Sequence, residues 1–521
     1  MTAASARRVV VVGAGMGGLA AAIELATQGW QVQVFDAAPT VGGKMRQVRA
    51  GNGLVDAGPT VLTMRHVFED LFARAGSRLA RHVELEPMQI LARHHWLDGS
   101  QLDLYADPEA SARAIADFAG AAEAKAFRRF LDHARTIWQT VEEPFVRSQR
   151  PTPASILRGY GLSALPLLLK VDSRRSVWQA LQSFFRDPRL VQLFGRYATY
   201  TGCSPFLAPA TLNLVAWVET QGVWRVRGGM HALAAAMHEL ALGLDVRVHL
   251  STPVAELLVE SGRACGLRLA SGELVRADAV VFAGDASAVG SGLLGKSASR
   301  AVDAVPEKER SLSAVTWCVE ADTHGAPLVH HNVYFGASSH DEFDAIFARR
   351  QLPPRPTVYV CAQDRDDRAQ WQGPERLLLL VNAPASADER PLTPKELDPC
   401  QHDLFAQLQQ MGLQISPTSA SVRTSPREFG QLFPGSGGAL YGAATHSWTA
   451  TMSRPAARTR IPGLYLAGGS VHPGAGVPMA ATSGRLAATA LCEDQPSTST
   501  SRRVAMPGGT STRSAIADAT R

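Results

Sequence analysis

The sequence predicts an α/β fold: a Rossmann-like dinucleotide-binding domain assembled from separated stretches, with a mixed α+β domain and a helical region inserted between them. Three observations carry this expectation. A strand-turn-helix-strand pattern opens the chain from Arg8 to Asp36. A second α/β block runs from Gly228 to Asp285. Near the other end, AGGSVHPGAGVPMAATSG (Ala467 to Gly484) joins an apolar run to an alanine-rich stretch.

The opening unit is the most regular. Arg8 to Val12 reads as an apolar β-run, GAGMGG as a tight turn, and Leu19 to Gln28 as a helix closed by Gly29. A second strand, Gln31 to Phe35, ends at Asp36. Gly13 permits the turn, Gly15 lets a pyrophosphate approach the backbone, and Gly18 lets helix and strand pack closely. The diphosphate then sits on free N–H groups at the helix N-terminus. Asp36, 23 residues after Gly13, is placed to accept hydrogen bonds from ribose hydroxyls.

From about Val67 to Thr220 the periodicity is helical, as in AIADFAGAAEAKAFRRFLDHARTIWQTV. The Gly228 to Asp285 block carries a helix at HALAAAMHELA and strands at VRVHL, VAELLVE, CGLRLA and AVVFAG. Residues 300 to 425 mix strands (SLSAVTWCVEA, PTVYVCA, RLLLLVNAP) with a helix at CQHDLFAQLQQMG. Gly463 to Cys492 is strand, loop, helix. The expected partition assigns 1–75, 221–300 and 426–494 to the nucleotide domain. It assigns 76–220 to a helical, membrane-facing substrate region and 301–425 to a substrate-domain sheet. The Ser/Thr/Gly-rich tail, 495–521, is expected to be disordered.

Composition narrows the function. A net charge of +5 over 521 residues, with basic residues scattered, speaks against nucleic-acid binding. Six cysteines lie far apart with no CxxC, so neither a disulfide framework nor a zinc site is expected. The uncharged run from Val9 to Ile23 has the look of a signal peptide, but Glu24 interrupts it and its glycine spacing suits a strand-turn-helix. We read no export signal and no transmembrane helix there, and expect a cytoplasmic protein held peripherally at the inner membrane.

The fingerprint alone does not separate FAD from NAD. After Asp36 comes a second glycine pair, Gly42-Gly43, with Lys44 and Arg46 beside it. VDAGPTVL follows, placing Asp56, Gly58, Pro59 and Thr60. FAD lies extended and needs a second backbone-lined surface, which these small residues and their basic neighbours suit.

VVVVGAGMGGLAAAIELA, VFDAAPTVGGKM and VDAGPTVL resemble the phytoene-desaturase-type carotenoid oxidoreductases, within the FAD superfamily that also holds amine oxidases. RGGMHALAAAMHELA, the strands after it, and LYLAGGSVHPGAGVPMAATSGRLAA resemble that family's middle and closing segments. The resemblance implies FAD bound non-covalently across all three blocks. It implies that Val254 contacts adenine through its backbone and that Gly468 to Met479 lies along the flavin, through Gly469, Ser470, Val477, Pro478 and Met479. Ser470 stands where amine oxidases usually carry an acid. A helix starting near Val477-Pro478 would aim its positive end at charge developing on the flavin.

Within the family, FGRYATYTGCSPFLAPATLNLVAWVETQGVWRVRGGMHAL and the closing string look closest to the bacterial hydroxy- and methoxycarotenoid desaturases of spheroidene and spirilloxanthin synthesis. Val471, Val477 and Met479 depart from the THPGAGIPG usual in phytoene desaturases. The resemblance implies C-3,4 desaturation of acyclic 1-hydroxy- or 1-methoxycarotenoids by hydride transfer to the flavin and proton loss. Quinone or oxygen is the implied final acceptor. Phytoene desaturase is the alternative within the family. A flavin amine oxidase, with Tyr441 and Trp448 as cage residues, is the alternative outside it.

Three residues are candidates for chemistry: His472 in the closing loop, His446 in YGAATHSW, and Glu219 as a proton acceptor. Against each stands a plainer role: structural or cofactor-positioning for the histidines, exposed or salt-bridged for the glutamate. Arg225 and Arg227 are candidates to hold a phosphate or a polar end group. Val146 to Arg175 joins the apolar LSALPLLL to six basic residues, which suits docking on an anionic membrane surface without spanning it.

Overall fold

The computed structural model describes residues 7–150, 171–366, 371 and 373–495. Five parallel strands form the nucleotide sheet in the order Leu464–Leu466, Ala279–Phe282, Arg8–Val12, Gln31–Phe35, Arg247–His249. The central strand is buried on both faces, as parallel sheets require. Its side chains alternate between two cores. Val9 and Val11 pack with the helices, while Val10 and Val12 join Leu257, Leu267 and Phe282 under a three-stranded antiparallel layer, Val254–Glu260, Arg263–Leu269 and Leu274–Arg276.

Helices Met16–Thr27, Met230–Leu242 and Val477–Asp494 supply the other face. The first begins at Met16 rather than Leu19, because the last glycines of GAGMGG are already helical. It packs against the last almost backbone to backbone. A Cβ on Gly17 would fall 2.8 Å from Gly468 Cα, and one on Gly484 would fall 2.1 Å from the Gly17 carbonyl oxygen. Small residues therefore bring the two ends of the chain together.

The second layer is an eight-stranded mixed sheet. Its order is Leu413–Pro417, Ser313–Gly325, Glu375–Ala383, Val358–Ala362, His331–Tyr334, Ile90–His95, Gln101–Tyr105, with Val422–Thr424 also on Ser313–Gly325. Two of these strands correct the expectation that 76–220 is helical. Ile90–His95 and Gln101–Tyr105 form a hairpin, and Ile90–His95 pairs in parallel with His331–Tyr334. The signal was present in Asp98-Gly99, a turn dipeptide between two short alternating runs.

The remaining helices cap this sheet. Pro108–Ala119 starts with Asp107 accepting hydrogen bonds from the N–H groups of Glu109 and Ala110. Ala121–Val141 and Pro188–Gly195 meet through Phe127, Phe130 and Phe194, whose rings stack 5.0–5.7 Å apart. Among the described residues no helix is long and apolar enough to cross a membrane. Most of the Val146 to Arg175 stretch lies outside the described residues. Of its described basic residues, Arg147 pairs with Glu142 and Arg175 with Asp172.

Candidate functional site

A cavity of about 1340 Å³ runs from the nucleotide sheet to the eight-stranded sheet. Every cofactor-binding residue expected from sequence lines it except Gly18: Gly13, Gly15, Asp36, Gly43, Lys44, Gly58, Pro59, Thr60, Val254, Gly469, Ser470, Val477, Pro478 and Met479. Gly18 stands directly behind. Its Cβ would fall 1.9 Å from the Gly13 carbonyl oxygen, so only glycine lets the turn close.

Backbone builds this half of the site. Gly13 has a φ of +106° and packs on Ala283, at the end of the Ala279–Phe282 strand. The Gly42 N–H bonds the Ala14 carbonyl at 2.9 Å, laying the second glycine pair against the first. A Cβ on Gly58 would fall 1.8 Å from the Lys44 carbonyl oxygen, which fixes the third surface close by. Helix Met16–Thr27 starts at Gly15 with no side-chain cap and no acid in its first turn. Helix Val477–Asp494 starts at Gly476, also uncapped, with Pro in its first turn. Two helix N-termini thus open onto one cavity, as an anionic or electron-rich ligand demands. Asp36 accepts hydrogen bonds from the N–H groups of Ala14 (2.6 Å) and Ala38 (2.8 Å) at the cavity edge.

A buried charged cluster at the wall escaped the sequence reading. Asp285 caps a short helix through Oδ1, and its buried Oδ2 has no hydrogen-bond partner among the described residues. Arg454 donates to the carbonyls of Tyr441 (3.1 Å), Gly469 (3.1 Å) and Ala443 (3.0 Å). Lys44 donates to the Leu440 carbonyl and lies 5.3 Å above the Phe433 ring. Burial pulls the Lys44 ammonium below its ordinary range, and Asp285 opposes this. Ser470 Oγ accepts from the Ala286 N–H at 3.1 Å. The wall therefore keeps a carboxylate, supplied by Asp285 from the middle block rather than at Ser470. Only the final Asp of AVVFAGD hinted at it, and Arg454 carried no local signal.

These features fit FAD. The glycine cradle that Cβ atoms would fill suits a pyrophosphate, Asp36 a ribose, and the Val254 backbone an adenine. The unpartnered Asp285 oxygen suits a polyol hydroxyl, and the start of helix Val477–Asp494 suits the ring.

The other half is made of side chains. Val141, Phe145, Leu212, Val215, Leu378 and Leu380 line it. Polar groups also stand on its wall. Thr60 Oγ1 and the Tyr359 hydroxyl are 2.7 Å apart, and the same hydroxyl lies 2.7 Å from His331 Nδ1. Glu219 is 6% exposed and accepts a 2.6 Å hydrogen bond from the Tyr197 hydroxyl. It is neither exposed nor ion-paired, against the plainer reading. Burial raises its pKa, with Tyr197, Tyr200 and Arg196 opposing.

The other two candidates for chemistry, His472 and His446, do not line the cavity, which corrects their candidacy in favour of the structural role. His472 is buried with its ring edge-on to Phe145, 4.8 Å between centroids, and Nε2–H donates to the Ser148 carbonyl at 3.1 Å. Burial lowers its pKa to about 4. His446 Nε2 accepts from the Ser204 N–H at 3.0 Å, its ring 4.6 Å from Phe347, and burial lowers its pKa to about 4. Both are neutral wedges between segments. Arg225 and Arg227 are bound to Glu86 and Glu84 across a two-strand pairing, so neither is the end-group ligand. Tyr441 lines the cavity, while the side chain of Trp448 is not among those described.

Comparison with known proteins agrees with this geometry. The family described as "Flavin containing amine oxidoreductase" matches residues 16–492. The hydroxyneurosporene desaturase of Rubrivivax gelatinosus is 52% identical over 511 residues, covering 98% of this chain and 97% of the relative. That of Cereibacter sphaeroides is 46% identical over 491 residues, covering 94% and 98%. The 4,4'-diapolycopene oxygenase of Methylomonas sp is 32% identical over 493 residues, covering 94% and 98%. Putrescine oxidase bound to putrescine superposes with a TM-score of 0.57 at 15% identity, covering 94% of this chain and 99% of that one, a likeness of fold alone. The chain belongs to the flavin containing amine oxidoreductase family, among its bacterial carotenoid-desaturase-type members, and its cofactor is FAD.

Proposed function

We propose that this chain is an FAD-dependent desaturase of acyclic carotenoids that introduces the C-3,4 double bond into 1-hydroxy- or 1-methoxycarotenoids. One observation carries the reading beyond the relatives' names. The cavity continues past the glycine cradle into a part lined by Val141, Phe145, Leu212, Val215, Leu378 and Leu380, with Arg196, Glu219 and Tyr359 also on its wall. Such a lining suits a polyene carrying an oxygen. Phytoene, with no oxygen, would bring only hydrocarbon against this wall and return no hydrogen bond.

FAD, when bound, supplies the two-electron oxidant. The chain orients the polyene, excludes water and takes a proton. Three carboxylates line the cavity among the described residues: Asp36, Asp285 and Glu219. Only Glu219 sits in the apolar half, and it is the proton acceptor in this reading. Loss of a proton from an allylic cation asks no more than a carboxylate. Val146 and Val171, on either side of residues 151–170, also line the cavity. This supports entry of the polyene from a membrane surface near Val146 to Arg175, with quinone or oxygen as the final acceptor.

The test is to incubate purified holoenzyme with liposomes holding 1-hydroxyneurosporene, and separately phytoene, and follow the visible spectrum. Lengthening the conjugated system of the hydroxylated polyene shifts its bands to the red. A shift with phytoene alone overturns the substrate assignment, and hydrogen peroxide release from amines, with no shift, overturns the class.

A further inference from the structure

We infer that Arg196 is the specificity-determining residue that recognises the oxygen at C-1 of the substrate. The inference rests on the desaturase reading above and goes beyond it by naming the group that reads the end of the polyene.

Arg196 follows helix Pro188–Gly195 and opens the short 3₁₀ turn Arg196–Thr201. The turn also carries Tyr197, whose hydroxyl donates to Glu219, so this hydrogen bond ties the donor's turn to helix Leu214–Thr220, which carries the acceptor. The guanidinium lies 5.4 Å from the centre of the Tyr359 ring. It lines the large cavity, and its buried Nε has no hydrogen-bond partner among the described residues. No described carboxylate forms an ion pair with it. Glu219 is close enough for its charge to be felt, yet its hydrogen bond goes to Tyr197.

The neighbours are otherwise occupied. The hydroxyls of Thr60 and Tyr359 bond each other, and Tyr359 also meets His331. Beside Arg196 lies a separate void of about 20 Å³, lined by Leu91, Leu193 and Val333 and also by Glu219, His331 and Tyr359. It has room for one water and none for a carbon chain, so a carbon chain beside Arg196 must lie in the large cavity. An apolar chain that arrives with an oxygen at its tip therefore meets an unsatisfied cationic donor. A hydroxyl or methoxy oxygen accepts from it. A hydrocarbon tip strips water from the guanidinium and returns no hydrogen bond, which is costly.

The location also explains the choice of bond. C-1 and the C-3,4 bond are separated by only two carbon–carbon bonds. Holding the C-1 oxygen on Arg196 keeps C-3 and C-4 beside Glu219, in the part of the cavity that the carboxylate shares.

The experiment compares wild-type holoenzyme with Arg196→Met, which removes the donors, and Arg196→Lys, which keeps one. Substrates are 1-hydroxyneurosporene and neurosporene, the same polyene without the oxygen, each in liposomes. We expect Arg196→Met to lower the preference in kcat/KM for the hydroxylated polyene by about tenfold or more, chiefly through KM. Arg196→Lys should recover part of it, with flavin content unchanged in both. A preference that survives Arg196→Met, or that falls equally with Arg196→Lys, overturns the inference and leaves the desaturase reading standing. A wild type inactive on both polyenes removes that reading and this inference with it. A second measurement needs no variant: a saturated branched tertiary alcohol should inhibit wild type about tenfold more tightly than its parent alkane. Equal inhibition also overturns the inference.

Discussion

The two halves of the cavity are built on opposite principles. The nucleotide half is made of backbone: glycines at close approach, two uncapped helix starts, and strands from three distant blocks. The polyene half is made of side chains, with Leu378 and Leu380 on one sheet and Arg196, Tyr200 and Glu219 from the helical cap. Backbone geometry tolerates no Cβ where it must approach, so the first half should fail abruptly on small changes. Side chains can be exchanged while the walls stand, so the second should lose rate or selectivity while keeping its cofactor.

The sharpest way to break the comparison is at Gly18. An added methyl would meet the Gly13 carbonyl oxygen at 1.9 Å, a collision with backbone. Gly18→Ala should yield protein without bound flavin and without activity, read from visible absorbance after gel filtration. A yellow, active variant would show that the turn can yield.

Glu219→Gln should lower kcat by about 10²–10⁴ while flavin content and KM stay near wild type. The same residue predicts a pH dependence. Burial raises the pKa of Glu219 above 4.5, and the protonated acid cannot accept a proton. Activity should therefore fall as pH drops through a limb above the ordinary carboxylate range. That limb should be missing from the residual activity of the variant. An unchanged profile would remove Glu219 from the chemistry.

A smaller effect is expected at the wall between the halves. Asp285→Asn replaces the charge of the unpartnered buried oxygen and should weaken FAD binding about tenfold, measured by flavin fluorescence on titration into apoprotein. The smallest is at Ser470, whose hydroxyl accepts only the Ala286 N–H. Ser470→Ala should cost about 1 kcal/mol of stability, seen as a modest fall in Tm with FAD affinity near wild type.

The same contrast governs what could be read in advance. Gly13, Gly15 and Gly18 announced themselves because glycine is demanded at fixed offsets along one turn. The uncapped start of Val477–Asp494 was legible for a similar local reason, as Pro478 fits the first turn of a helix. Ile90–His95 and Gln101–Tyr105 were missed because short strands in a helix-rich region carry little periodicity of their own. His472 looked catalytic because of its place in the closing loop, yet the chain turns its ring toward Phe145, while Ser470, Pro473 and Gly474 on either side line the cavity.

By itself, the sequence determined the dinucleotide unit and the strands of the three blocks. Each of these is set by local spacing: apolar alternation, glycine at a turn, a helix start. Tertiary structure alone decided that Asp285 stands beside Ser470 with an unpartnered oxygen among the described residues, that Glu219 is buried against Tyr197, and that Arg196 keeps an unpartnered Nε there. Those are facts about partners, brought from segments far apart in the chain. Whether a charge is paired, exposed or waiting for a ligand depends on what the fold places opposite it.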